Sequence, residues 1–133
     1  MDKKKLHIAA GIICDQNNNV FITQRPLKSH MGGFWEFPGG KLEDEETPEQ
    51  ALVRELQEEI GIDVTQCSLF ETVEHDFPDR HITLSFFLVT QWDNEPYGKE
   101  GQDSKWTSIA SLNADDFPPA NRTIVALLQN KSR

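Results

Sequence analysis

Between Thr47 and Gly61 the chain spells a helix with both ends written into the sequence. Thr47 is an N-cap residue, because its hydroxyl can accept from a free N–H of the first turn. Pro48 suits the first helical position, where no N–H is needed, and Gln50 completes a capping box with Thr47. Gly61 supplies the stop. Successive helical residues turn by about 100°. Leu52, Val53, Leu56 and Ile60 therefore share one arc, the expected core face. Glu55, Glu58 and Glu59 share the neighbouring arc, where i, i+3, i+4 spacing stacks their carboxylates.

That acidic arc opposes itself. Like charges at this spacing repel by a few tenths of a kcal/mol per pair even when exposed. They also lie in the last two turns, where the helix dipole favours cations. A solvated acidic face is the ordinary reading of a Glu-rich helix. This one borders an apolar stripe and follows the Gly39-Gly40 pair, which points instead to a bound cation. Carboxylate oxygens suit Mg²⁺ or Mn²⁺, and Mg²⁺ commonly takes substrate phosphates as further ligands. The charge balance agrees. With 13 Lys+Arg against 22 Asp+Glu the formal net charge is -9. Nucleic acid and anionic membranes are thereby excluded as main partners, since both need a basic patch. An acidic protein that acts on an anion needs a cation between them.

Around this helix the sequence reads mostly as strands. Leu6–Cys14 is an apolar strand, Asp15–Asn19 a turn cluster and Val20–Gln24 a second strand, which together suggest a hairpin. Arg25–Gly33 is loop, Phe34–Phe37 is aromatic, and Pro38-Gly39-Gly40 breaks the chain. Strands follow at Leu69–His75 and Ile82–Thr90, separated by a turn at 76–80 that contains Pro78-Asp79. The stretch 94–103 is loop, Trp106–Ile109 a short strand, and a second helix runs from about Asn121 to Gln129. This order predicts an α/β (α+β) protein, a mixed sheet flanked by helices. A length of 133 residues fits one domain spanning 1–133. Cys14 and Cys67 lack CxxC spacing, so neither a disulfide framework nor a zinc site is expected, and the setting is read as reducing and cytoplasmic. No apolar run nears the ~20 residues of a membrane span, and no signal peptide is evident.

Counting along the segment after Pro38 gives Gly40, five residues, Glu46, seven residues, then Arg54-Glu55-Leu56-Gln57-Glu58-Glu59-Ile60-Gly61-Ile62. This matches GX5EX7REUXEEXGU, with U a bulky aliphatic, at every fixed position, placing a Nudix box at 40–62. Further segments (HIAAGII, FITQR, FPDRHITL, PYGKEGQ and LNADDFPPAN) extend the likeness over nearly the whole chain. The sequence resembles the MutT-type 8-oxo-dGTP diphosphatases of the Nudix hydrolase family. One departure is Glu45, where that group usually has Gly. If the site needs positive φ, Glu costs roughly 1–2 kcal/mol relative to Gly.

The resemblance implies an α/β/α Nudix sandwich and Mg²⁺-dependent hydrolysis of a nucleoside triphosphate to a monophosphate and pyrophosphate, with water attacking the β-phosphorus. Mn²⁺ is the alternative ion. It implies metal ligands at Glu55, Glu58, Glu59, Glu100 and the Gly39 carbonyl. Arg54 would orient Glu55, and Glu46 would pair with Arg54 or reach a metal through water. Either Glu55 or Glu100 would accept the proton of the attacking water. For the base, Asn121 is the implied selector. Guanine shows two acceptors on its Hoogsteen edge, and the 8-keto form turns one into a donor, complementary to an Asn amide. As a bare residue, Asn121 would instead cap the following helix. Arg25, Phe37, Phe77, Arg80, Leu6 and Ile8 carry over as further substrate contacts, against the alternative of core aromatics and solvated arginines. His7, His30, His75 and His81 show no metal spacing. The expected partner is the nucleotide alone (8-oxo-dGTP), bound by a monomer, with no nucleic acid and no membrane. Two other readings stay open: a Nudix pyrophosphohydrolase for another or a broad range of (d)NTPs, and a Nudix-fold binding module without turnover.

Overall fold

The computed structural model describes residues 4–28 and 32–131; His30 lies outside them. Two long strands make the centre. β1 (Lys4–Cys14) runs parallel to β6 (Arg80–Asp93), with Ile8 opposite Leu84 and Ala10 opposite Phe86. β5 (Asp63–Asp76) pairs antiparallel with β6 on its far side. β2 (Asn19–Gln24) turns back on β1, and β7 (Ser104–Ser108) and β3 (Trp35–Glu36) pair with β2. The short β4 (Gly39–Lys41) lies antiparallel to β1. The result is a mixed sheet in the order β3-β2-β1-β6-β5.

The predicted hairpin between β1 and β2 is present. Its turn is tied by the Asp15 carboxylate, which accepts from the N–H groups of Asn17 and Asn19 at 2.8 and 2.9 Å. Strands β5 and β6 are each 14 residues long, well beyond the predicted 69–75 and 82–90. Their polar outer ends are held by ladder pairing across the hairpin rather than by apolar content, and irregularities between Val64 and Glu71 shift the register there.

Alternation along the strands sends side chains to two cores. Ala9, Ile13, Phe21, Phe87 and Val89 pack under α1 (Pro48–Ile60). Ala10, Ile12, Val20, Ile22 and Phe86 pack on the other face with α2 (Pro119–Lys131). This is the α/β/α sandwich. The capping box of α1 forms as spelled: Thr47 Oγ1 accepts from Gln50 N at 3.1 Å, and Gln50 Oε1 accepts from Thr47 N at 2.9 Å. Gly61 closes the helix with φ 72°. The core stripe differs by one residue. Ala51, Leu52, Leu56 and Ile60 are buried, whereas Val53 is 39% exposed. It sits at the margin of the stripe, over a groove shared with Glu49 and Cys67 beside β5.

The second helix begins at Pro119, two residues before the expected start, so Asn121 lies within the first turn and is not its cap. Proline at the first helical position lets the helix start there. Ile109 opens a 3-10 turn after β7 rather than ending that strand. Among the described residues no helix is long and apolar enough to cross a membrane.

Candidate active site

Helix α1 carries the acidic arc to its C-terminal end, against β4 and the loop 94–103. Arg54 organises one half of the arc. Its Nε donates to Glu46 Oε2 at 2.8 Å and its Nη2 to Glu46 Oε1 at 2.9 Å. Nη1 reaches Glu55 at 2.8 Å and Glu58 at 3.4 Å, and Nη2 also donates to the Lys41 carbonyl at 3.1 Å. The Arg54 fork, helped by the Glu43 N–H, holds the Glu46 carboxyl down at about 2. Glu55 is mostly buried against Gly40, where any side chain would collide with its carboxylate. The Gly-Gly break is thus a steric need: the chain passes too close to the helix for a Cβ. Glu58 is the outermost of the three, with just over half of its side chain exposed.

Glu59 has a different environment. It points into a cleft of about 370 Å³ whose lining includes Arg25, Glu36, Glu100 and Gln102. Burial, then the charges of Glu55, Glu36 and Glu100, push its carboxyl up to about 8, and the Gly39 N–H offsets only part of this. Its Oε2 is fully shielded and has no hydrogen-bond partner among the described residues. A buried carboxylate oxygen left without a partner is costly. Here it lies in a field of carboxylates whose first need is positive charge.

The donor set therefore fits a divalent cation chemically. It offers hard oxygens, a desolvated carboxylate with a spare lone pair, and the Gly39 backbone alongside. The side chains do not close a cage: among the described residues no three His, Cys, Asp or Glu converge closely enough to hold an ion. Arg54 draws Glu55 and Glu58 to one side, while Glu59 and Glu100 share the cleft.

Of the residues proposed from sequence for substrate contact, Arg25 borders the acidic cleft and the others are not in its lining. By strand alternation Leu6 and Ile8 face the α2 side with Ala10 and Ile12. Asn121 is on α2, 8% exposed, and its side-chain amide makes no hydrogen bond among the described residues. Phe77 and Arg80 flank the β5–β6 turn, with the guanidinium 5.2 Å from the ring centroid and the Arg80 Nε buried without a hydrogen-bond partner among the described residues. Phe37 departs from the expected wall of the pocket. It is 3% exposed, stacked on Phe117 at 5.3 Å and edge-on to Phe86 at 6.2 Å. Its ring is core, because the aromatic stretch turns inward between the sheet and α2. Arg25 borders the acidic cleft and pairs with Glu36 at 3.0 Å. Burial outweighs that pairing and raises the Glu36 carboxyl above the usual range.

Glu36 was not singled out by sequence reading. An isolated Glu between aromatics carries no spacing signal, and its approach to Glu59 comes from strand pairing. Gln102 was missed as well, although it ends the PYGKEGQ segment that carries Glu100.

Known proteins match this chain over nearly their whole lengths. The chain is 84% identical over 101 residues to the 8-oxo-dGTP diphosphatase of Proteus vulgaris, covering 76% of this chain and 90% of the relative. It is 60% identical over 126 residues to the 8-oxo-dGTP diphosphatase of Escherichia coli K12, covering 95% and 98%. A solved MutT structure, from work on Aliivibrio salmonicida and Vibrio cholerae, superposes with a TM-score of 0.83 at 45% identity, covering 96% of this chain and 99% of that one. The NUDIX domain family matches residues 9–127. The match over residues 9–127 and the identity to these relatives show that this chain belongs to the Nudix family.

Proposed function

We propose that this chain hydrolyses 8-oxo-dGTP to 8-oxo-dGMP and pyrophosphate with Mg²⁺ as the ion, water attacking the β-phosphorus. Removing the oxidised nucleotide before polymerisation keeps it from pairing with adenine, which prevents A·T to C·G changes. The observation that carries the reading is Glu59, a desolvated carboxylate among Glu55, Glu36 and Glu100 with one oxygen that has no hydrogen-bond partner among the described residues. High identity to two 8-oxo-dGTP diphosphatases supports the substrate.

Nudix hydrolases need divalent metal ions. Glu55, Glu58, Glu59, Glu100 and the Gly39 carbonyl would hold them here. When bound, the metal neutralises the polyphosphate, orients it for in-line displacement and acidifies a water. The protein residues do the remaining work. Arg54 fixes the Glu55 carboxylate through the 2.8 Å bond and is itself locked by Glu46, so the arc is preorganised before substrate arrives. Glu55 or Glu100 accepts the proton from water. Arg25, paired with Glu36, stands at the cleft wall, where its charge faces the substrate.

Asn121 selects the base. Its carbonyl accepts from the N7–H that exists only in the 8-keto form, and its NH₂ donates to O6. Normal guanine would turn a lone pair to the Asn oxygen, at a cost of ~1–3 kcal/mol or roughly 5- to 150-fold. Leu6, Ile8 and Phe77 supply the apolar walls, and Arg80 the remaining polar contact.

Steady-state comparison of 8-oxo-dGTP with the normal dNTPs tests this, with the leaving group identified. The expected result is pyrophosphate release, a strong preference for 8-oxo-dGTP, and loss of turnover in chelator. Glu55→Gln and Glu59→Gln should each lower turnover by orders of magnitude with the fold kept. Near-normal turnover in both variants would falsify the metal-helix reading, and equal rates on dGTP would transfer the chain to a broader dNTP specificity.

A further inference from the structure

The loop 94–103 is strapped to the C-terminal end of α1. Tyr97 N donates to the Ile60 carbonyl and Lys99 N to the Glu59 carbonyl, both at 3.1 Å. Lys99 Nζ reaches the Gln57 carbonyl at 3.4 Å. The last turn of α1 has no basic residue of its own, and the loop amides supply donors to the Glu59 and Ile60 carbonyls at the end of the helix. The chain then turns at 98–101, closed by Gly101 N donating to the Gly98 carbonyl at 3.0 Å. Gly98 is required there, since a Cβ would collide with the Gln102 carbonyl. Glu100 is on the exposed side of this turn, beyond the last main-chain strap.

One side chain brackets it. Gln102 Oε1 accepts from Glu100 N at 3.0 Å, and Gln102 Nε2 donates to the Glu59 carbonyl at 3.2 Å. A single planar amide thus joins the backbone of Glu100 to the backbone of Glu59, and both of those carboxylates line the same cleft. We propose that Gln102 is a positioning residue, which sets the separation of Glu59 and Glu100 through its two-ended amide. The role depends on having a donor and an acceptor on one side chain of this length: Glu lacks the donor, Lys lacks the acceptor, and Asn is a methylene short. It rests on the reading of Glu59 and Glu100 as ion-holding residues.

The test is Gln102→Met, similar in length but without the amide. In metal-free protein the Glu100 amide should exchange with solvent at least ~10-fold faster, while amides in the middle of α1 keep their protection. Without nucleotide, Mn²⁺ titration followed by electron paramagnetic resonance should show affinity weakened by ~10-fold. Turnover should fall by a similar factor with the nucleotide KM nearly unchanged. In a Glu100→Gln background the same substitution should cost almost nothing further, because both changes act on one unit. Gln102→Lys, which keeps the donor to Glu59, should still speed Glu100 exchange, and it covers the case in which the Met variant folds poorly. Unchanged Glu100 exchange in both variants, or equal loss of Mn²⁺ affinity with and without Glu100, would overturn the proposal. A wild-type chain that hydrolyses no nucleotide would sink the proposed activity alone, since exchange and Mn²⁺ affinity still read the bracket. Wild-type Mn²⁺ affinity in Glu100→Gln would remove Glu100 from the ion site, and the exchange measurement would then judge the bracket by itself.

Discussion

Arg54 and Glu46 form a two-bond fork, Nε to Oε2 at 2.8 Å and Nη2 to Oε1 at 2.9 Å, which leaves Nη1 to hold Glu55. The geometry needs a planar guanidinium, because one charged group must meet three carboxylates and a backbone carbonyl at fixed angles. Arg54→Lys keeps the charge and loses the fork. Steady-state kinetics should show turnover down ~10- to 100-fold with a small change in nucleotide KM. A Lys variant of full activity would mean that only the charge matters.

The metal-free protein should lose stability as pH rises from 4.5 to about 8, the window set by Glu59. Its carboxyl has a raised folded value, so in that window the folded chain holds a proton that the unfolded chain has released, and rising pH favours unfolding. Glu46 acts in the opposite sense. Its contribution is present above 4.5 and lost as pH falls through about 2. Thermal melts in chelator across the first window should show a falling midpoint that Glu59→Gln flattens. Saturating divalent cation should flatten it too, because binding releases the proton. A midpoint that rises with pH in chelator would contradict the assigned environment of Glu59.

Asn121→Ala should weaken 8-oxo-dGMP binding roughly 5- to 150-fold and dGMP binding far less. Asn121 is not the cap of α2 and spends no side-chain hydrogen bond within the described protein, so its loss should leave the helix in place. Calorimetry with both nucleotides decides; equal losses would leave Asn121 as packing alone.

Glu45 adopts φ 67°, the conformation anticipated where the family usually has Gly. Glu45→Gly should raise stability by ~1 kcal/mol, the relief of left-handed strain less the added freedom of the unfolded chain. The melting midpoint should then rise by roughly 3 °C with turnover unchanged. A lower midpoint would show that Glu45 makes a compensating contact.

Local features of the chain were legible because their causes are local. Thr47, Pro48, Gln50 and Gly61 satisfy backbone groups within a few residues, so the bounds of α1 follow from the sequence alone. The same holds for the Asp15 turn and for the acidic arc, which is a matter of helical period. Where an outcome depends on what packs opposite, the reading fell short. Strands β5 and β6 outran their apolar segments because each pairs with the other. Val53 left the core face because its neighbour is a groove, and Phe37 joined the core because Phe86 and Phe117 enclose it.

The site divides along the same line. Sequence by itself determined the family, the acidic helix and the break at Gly39-Gly40, since repeated charge spacing and an exact motif need no partner to be recognised. Only the tertiary structure decided that Glu36 and Gln102 belong beside Glu59, and that Arg54 divides the carboxylates between two neighbourhoods. Those relations join strand, helix and loop residues across long stretches of chain. Desolvation and hydrogen bonding arise when packing brings such residues together, so neither has a signature in the order of the amino acids.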